Sequence, residues 1–379
     1  MLALPTAYGM RVLLLGAFNS PHLEYLAKGL VGRGHDVHLA GSPSPAIPVN
    51  PAGGPAEVTA APPYLGRKRD VLAAARWLRR VVRRTSADVV HAHYFYPGYT
   101  TAAVLARAAP VVITTWGSDL LLPKLRREQL EDRLAVRLAD ALTADSQTLV
   151  DALVAIGTKP SKIRLVRWGV DLNLFKQVED RVALRRELGL GPGPMVLSPR
   201  TLRPLYNIPT LVEAFEPIAS AHGSVQLVLK YFAGEPPDLS ASPYRDRIHL
   251  VGTVPYAQMA SYYAAADVCV SIPSSDSSPR SVWEAMACGA PCIVSDLPWV
   301  AELIENETHA LVVPPGAEAL TAAMGRLLSE PELSARLSRR GGMLVERHHD
   351  GERELARLEA TYRSVTAGRA RARAARNSN

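Results

Sequence analysis

Short apolar runs, each bounded by turn residues, recur along the whole chain. Residues 11–15, 36–40, 87–91, 110–115, 141–145 and 163–166 have strand length and β-rich composition. A second series follows at 195–198, 225–229, 248–251, 267–272 and 292–295. Helical periodicity separates the runs. In 22–33, Leu23, Leu26, Ala27 and Leu30 share one face; in 67–84, Val71, Leu72, Ala75, Leu78 and Val82 do the same. Further helices are expected at 147–156, 181–190 and 256–266, and from Ala317 to about Val365. Strands alternating with helices predict parallel sheets covered on both faces. The two series part at the linker Gly191-Pro192-Gly193-Pro194, which predicts two doubly wound domains. Residues 42–63 read as a long surface loop with room for one short strand.

The stretch 267–293, DVCVSIPSSDSSPRSVWEAMACGAPCI, is the most informative. It reads as strand, loop, short helix, strand. Ser278 is expected as the N-cap and Pro279 as the first helical residue. Val282, Trp283, Ala285, Met286 and Ala287 continue the helix, Gly289 ends it, and Pro291 prevents resumption. A helix N-terminus at the carboxyl end of a strand suits a phosphate or diphosphate. Asp276 lies just before the helix and Glu284 about one turn inside it. Both can border one crevice and accept hydrogen bonds from sugar hydroxyls.

Composition narrows the function class. The 379 residues are 47% hydrophobic and 21% charged, a globular balance with length for two domains. The formal net charge is +7. No basic run is interleaved with aromatics, so anionic nucleotides or an anionic membrane surface are expected as partners, and nucleic acid is not. Cys269, Cys288 and Cys292 cannot all pair and read as small buried residues in a reducing compartment. No apolar run reaches the length of a membrane span, and no signal peptide is evident. The nine residues before Met10 read as an unstructured leader. A cytoplasmic location, peripheral at the inner face of the membrane, is the expectation.

Other candidates lie at predicted strand ends. Arg76, Arg79, Arg80, Arg83 and Arg84 form a basic stripe at spacings of three and four, read either as a solvated helix face or as a contact with anionic lipid. His91 and His93 close a strand in HAHYFYPGY; they are expected on opposite sides of it, so that one faces the ligand. No further ligand cluster makes them a metal site. Asp119 follows a strand end in Trp116-Gly117-Ser118-Asp119, and Arg200 follows another in Pro199-Arg200-Thr201-Leu202. The planar fork of an arginine suits a diphosphate. The first loop, Gly16-Ala17-Phe18-Asn19-Ser20, lacks GxGxxG, which argues against a dinucleotide.

Taken together, these residues resemble the GT-B glycosyltransferases, in particular the large retaining family numbered 4. Its motif is an acid, seven residues, a glutamate, then alanine, a small residue, glycine and proline. Asp276 stands for the first acid and Glu284 for the second; Ala285, Met286, Ala287, Gly289 and Pro291 follow. The resemblance spans about 11–365. It implies the fold class α/β, with two Rossmann-like doubly wound domains facing a central cleft. Residues 1–185 would bind the acceptor, 186–365 the nucleotide sugar, and 366–379 would be a basic, disordered tail. Gly169, Val170, Asp171 and Phe175 match the segment that ends the first domain, and the last helical turns would cross back to it.

The catalytic set implied is Arg200, Asp276, Asp119 and His93. Arg200 would grip the diphosphate. The lysine usual six positions later is Tyr206, followed by Asn207, so a second charge would fall to Arg203 or Lys230. Gly252 and Val254 would meet the base through backbone groups. Ser277, Ser278, Pro279, Arg280 and Ser281 would bound the diphosphate, Asp276 would orient the sugar, and Glu284 the ribose. Gly16 and Asn19 lie on the acceptor side, where a Gly-Gly pair is usual, and Trp116 replaces a common histidine. The function implied is retaining transfer from a nucleoside-diphosphate sugar, UDP favoured over GDP, to a hydroxyl of a glycan, lipid-linked or small-molecule acceptor. The nucleotide sugar is a co-substrate, and neither cofactor nor metal is expected. A nucleotide-sugar epimerase and a non-catalytic nucleotide-sugar-binding protein are the alternatives; turnover with and without acceptor separates them.

Overall fold

A computed structural model describes residues 9–44, 56–61, 71–95 and 99–377. The chain forms two compact units, one of Met1–Val166 with Glu354–Asn379, the other of Arg167–Arg353. Each is an α/β unit around a parallel sheet, so the expected pair of doubly wound domains is present.

The first sheet comprises β1 (Arg11–Leu15), β2 (Asp36–Gly41), β3 (Glu57–Ala60), β4 (Val89–His93), β5 (Val111–Thr114), β6 (Ala141–Ala144) and β7 (Ile163–Leu165), in the order β3-β2-β1-β4-β5-β6-β7. Val12–Leu15 of β1 and Val111–Ile113 of β5 are unbroken apolar runs because helices cover both faces. β3 is the short strand for which the long loop had room, and it is an exposed edge. The order reverses between β1 and β4, where ligands bind in open α/β sheets, beyond the carboxyl ends of the strands. At that end Gly41 has φ 140°, and a Cβ there would lie 2.0 Å from the Gly16 carbonyl oxygen. Only glycine lets the loops after β1 and β2 approach so closely.

The helices of this unit are α1 (Pro21–Gly32), α2 (Val71–Thr85), α3 (Tyr99–Ala106), α4 (Ser118–Leu121), α5 (Arg126–Leu138) and α6 (Gln147–Ala155). Ser20 caps α1 by accepting from the His22 N–H at 3.3 Å, and Pro21 opens it. The expected start of α2 at 67–70 lies outside the described residues. α3 is almost wholly buried and packs against both α2 and α5, so these three share one layer.

The second unit opens with α7 (Arg181–Glu187). Its sheet comprises β8 (Met195–Ser198), β9 (Gln226–Lys230), β10 (Ile248–Val251), β11 (Val268–Ser271), β12 (Cys292–Ser295) and β13 (Leu311–Val313), ordered β10-β9-β8-β11-β12-β13. α8 (Ile208–Ala221), α9 (Tyr256–Ala265), α10 (Arg280–Ala287), α11 (Ala317–Ser329) and α12 (Pro331–His348) cover it. The order reverses between β8 and β11, placing the loops that carry Arg200 and Asp276 side by side.

Two boundaries differ from the sequence reading. The units part at Val166, not near residue 185. Arg181 donates to the Ala266 and Gly289 carbonyls at 2.6 and 2.7 Å, and Arg185 donates to Ala265 and pairs with Asp267 at 2.8 Å. These bonds satisfy helix-end carbonyls and fasten α7 to the second unit. Residues 366–377, expected as part of a disordered tail, are helical. They continue α13 (Gly351–Asn377) as far as Asn377, as a run of alanine and arginine favours. From Glu354 onward α13 belongs to the first unit, so the chain crosses back as expected but the second unit ends at Arg353, not at residue 365. Gly29 of α1 admits Leu355, which a Cβ would meet at 2.5 Å. Glu359 pairs with Arg33 at 2.7 Å and His35 at 2.8 Å.

Candidate active site

In the second unit the carboxyl edge of the sheet gathers the candidates for an anionic ligand. Arg200, just past β8, donates to Asp276 at 2.6 Å and to the Ser281 hydroxyl at 3.0 Å. The Tyr206 ring lies under the guanidinium, 4.3 Å away. Tyr206 therefore does not bring a charge where the resemblance implied a lysine; it is a platform that fixes Arg200. Burial works against the Arg200 charge, but Asp276 and Tyr206 outweigh it and raise its pKa. Asn207, at φ 51°, donates to the Ile272 carbonyl at 2.8 Å and ties the loop after β8 to the end of β11.

α10 begins one residue later than expected. Pro279 is its N-cap, and Ser278, in the left-handed region at φ 44°, is not. The Ser278 hydroxyl instead accepts from Trp283 Nε1 at 3.1 Å. A buried indole N–H needs an acceptor, and Ser278 is the one provided. Ser277, Ser278 and Arg280 are all buried. Gly289 ends the helix at φ 74°, as the sequence predicted.

Glu284 is 4% exposed. Its Oε1 pairs with Arg280 Nε at 2.9 Å and accepts from the Tyr256 hydroxyl at 2.5 Å. Burial raises its pKa, against the pull of Arg280, Tyr256 and Tyr263. Arg280 is thereby engaged inside the unit, locking α10 to α9. Gly252 is exposed and Val254 half-buried in the loop after β10, on the same edge of the sheet.

Lys230 was absent from the main set of sequence candidates. It ends β9, is 6% exposed, and makes one long bond to the Tyr231 carbonyl at 3.4 Å. Burial lowers its pKa to about 8. The available signal was a lysine closing an otherwise apolar strand. Arg203, the other option, is exposed.

The first unit presents a second set at the carboxyl ends of β1, β4 and β5. His91 and His93 lie on the same side of β4, their rings 3.9 Å apart, because side chains two positions apart share a strand face. This corrects the expectation of opposite sides. His91 is held by Tyr362 and Thr114, both at 2.5 Å. His93 is 3% exposed with neither ring nitrogen hydrogen-bonded, and burial pushes its pKa down to about 3. It is a neutral imidazole with open hydrogen-bonding capacity, beside Gly16, where a Cβ would be 3.5 Å from its own Cβ. Trp116 packs edge-on to it at 6.1 Å.

Asp119 is buried and accepts three backbone bonds, from Phe95 on one oxygen and from Trp116 and Gly117 on the other, each at 2.9 Å. Burial raises its pKa to about 6 against those bonds. The geometry makes it the joint between the loops after β4 and β5. Asn19 has a comparable place: its amide exchanges bonds of 3.0 and 2.6 Å with the Ser44 backbone.

Arg76, Arg79, Arg80, Arg83 and Arg84 are all exposed on α2, which carries no acid, and Leu72 beside them is 65% exposed. On α5, Leu130 and Leu134 are exposed among Arg126, Arg133 and Arg137. Among the described residues, no helix is long and apolar enough to cross a membrane, and no group of three or more His, Cys, Asp or Glu could hold a metal.

Comparison with known proteins agrees with this fold and gives the family. The family described as Glycosyltransferase Family 4 matches residues 20–174, and Glycosyl transferases group 1 matches 194–330. The chain is 24% identical to N-acetyl-alpha-D-glucosaminyl L-malate synthase of Bacillus anthracis, over 90% of this chain and 92% of that protein. Sucrose-phosphate synthase from Thermosynechococcus elongatus superposes with a TM-score of 0.79 at 20% identity, covering 95% of this chain and all of that one. Anabaena HepE in complex with UDP and glucose does so with a TM-score of 0.75 at 19% identity, covering 94% of this chain and all of that one.

Proposed function

Because this chain belongs to the family 4 glycosyltransferases of the GT-B class, we propose that it transfers a sugar with retention from a nucleoside-diphosphate sugar, UDP favoured over GDP, to an acceptor hydroxyl. The second unit takes the donor and the first the acceptor. The observation that carries this reading is Arg200, stacked on Tyr206 and aimed along the sheet edge toward Ser281 at the start of α10. The UDP and glucose in the HepE structure support UDP as the nucleotide.

The chemistry follows from charge. As the bond between the anomeric carbon and the diphosphate breaks, negative charge grows on the diphosphate. Arg200 and the positive end of α10 stabilise it. Asp276 orients the donor sugar, and Gly252 and Val254 bound the base. Glu284 supports the nucleoside by holding α9 and α10 together through Tyr256 and Arg280. The acceptor oxygen bonds to the anomeric carbon from the side the diphosphate leaves, and its proton passes to the departing phosphate oxygen. His93 hydrogen-bonds the acceptor as a neutral imidazole, and Gly16 keeps the approach open; Asp119 and Asn19 position their loops.

A thermal-shift panel of UDP, GDP, ADP and TDP tests the donor assignment. A ligand at about 100 times its Kd adds about 2.7 kcal/mol of stability. No shift with any of the four would remove this reading. The arginines of α2 and the leucines and arginines of α5 lie in one helix layer, which supports docking on an anionic bilayer that presents a lipid-linked acceptor.

A further inference from the structure

We propose that Lys230 is a second cation of the donor diphosphate subsite, reaching from β9 the same ligand that Arg200 grips from β8. The proposal rests on the donor reading above and adds a residue to it.

Three observations converge. The first is a buried charge without a partner. Among the described residues no carboxylate pairs with Lys230, and its ammonium has a single bond, 3.4 Å long, to a backbone carbonyl. An uncompensated buried cation is unfavourable in the free protein, and a site that binds an anion explains why it is kept.

The second is placement. Leu229 is the register partner of Ser198, which sets Lys230 beside Pro199, one residue before Arg200. Adjacent strands are about 4.8 Å apart, so both side chains can converge on one diphosphate. Strand alternation puts Lys230 on the same face as Val228, which packs in the core with Tyr263, Val282 and Trp283 of α9 and α10. Lys230 is thus on the side of the sheet where α10 begins.

The third is that the acids at this edge of the sheet are engaged elsewhere. Asp276 is paired with Arg200, and Glu284 with Arg280 and Tyr256. Tyr263 on α9 has its pKa pushed well up by burial and by Glu284, and so stays neutral. His249 on β10 has its pKa lowered by burial, so it adds no charge. Tyr206 stacks on Arg200 and Arg203 is exposed, so neither supplies the second charge.

The free ammonium titrates near about 8. An anionic ligand favours its charged form, so binding above that pH takes up a proton. Affinity for a nucleoside diphosphate then falls about tenfold between pH 7 and 9.

The test is calorimetric titration of UDP and GDP into wild type, Lys230→Met and Lys230→Arg across that pH range. Lys230→Met is expected to bind the diphosphate that wild type prefers about 10- to 100-fold more weakly at pH 7. It should melt no lower than wild type, because a buried charge has been removed. Its affinity should lose the wild-type fall toward pH 9. Lys230→Arg should restore binding and also flatten the pH profile. Lys230→Met binding as wild type does, or showing the wild-type pH profile, overturns the proposal. Weak binding that Lys230→Arg does not restore, with a lowered melting temperature, also overturns it and makes the residue structural. If wild type binds neither nucleotide, the donor reading fails, and this proposal with it.

Discussion

Replacing Arg200 with alanine removes a guanidinium from an ion pair whose side chains are only 10% and 14% exposed. Asp276 is then left with its carboxylate largely buried and its counter-charge gone; one oxygen still accepts from the Ser277 N–H at 2.9 Å. Stranding one member of a buried pair costs about 3–5 kcal/mol, and the remaining bond argues for the lower end. In a domain of this size about 3 kcal/mol corresponds to a melting point lower by roughly 6–12 °C. Turnover should fall by about 10²–10³ on top of that, as for the loss of one transition-state donor. The two effects separate in Arg200→Ala/Asp276→Asn, where no charge is stranded. That double variant should regain most of the lost stability and none of the transfer. Calorimetric melting with initial-rate transfer below the melting point reads both. A double variant melting as low as the single one would refute the stranded-carboxylate argument, and wild-type transfer by it would refute Arg200 as the diphosphate grip.

Asp276→Asn alone should slow transfer by about 1–3 kcal/mol of barrier while the bare nucleoside diphosphate binds as well as before; calorimetric loss of that affinity would move Asp276 from the sugar to the phosphates. Vesicles rich in anionic lipid should retain the protein at low salt through the arginines of α2 and α5, at about 1 kcal/mol per residue near the surface; equal sedimentation with neutral vesicles would leave these helices as solvated faces. His93 and His349 both titrate near about 3 in the fold, against about 6.5 when unfolded. Their contribution is therefore complete above about pH 6.5 and declines as pH falls toward 3, by about 2 kcal/mol each at pH 5. Asp119, raised to about 6, acts in the opposite sense between about pH 4 and 6. Melting points of wild type and His93→Phe/His349→Phe at pH 7 and 5 should show a shallower decline in the variant; equal slopes would assign acid sensitivity elsewhere.

The sheets were legible because parallel strands covered on both faces must be apolar throughout, and glycine and proline punctuate their ends. Gly289 was legible for the same reason: a left-handed position after a helix excludes most side chains. Local pattern failed where a distant partner decides. Ser278 has cap chemistry, yet the Trp283 indole claims its hydroxyl. Glu284 sits at a motif position, yet Arg280 and Tyr256 occupy one of its oxygens. The border near residue 185 was placed on a loop signal at Gly191–Pro194, whereas the bonds of Arg181 and Arg185 decide to which unit that segment belongs. The two histidines were misjudged on strand parity alone. Lys230 and Arg203 were equal options in the sequence, since a charge at a strand end is ordinary, and only burial without a charged partner sets Lys230 apart.

The return of α13 to the first unit has a consequence for biosynthesis. Its apolar and polar anchors, Leu355 against Gly29, Glu359 against Arg33 and His35, and Tyr362 on His91, all come from a segment that leaves the ribosome after the whole second unit. The first sheet is synthesised early but waits, with His91 Nδ1 lacking its Tyr362 partner and α1 uncovered on one side, while the whole second unit is translated. The second unit is contiguous in sequence and can finish before the first one does. Vectorial synthesis thus inverts the order of completion. The amino-terminal half is the part exposed to chaperones and proteases for longest, and excising residues 1–166 alone would reproduce that incomplete nascent state.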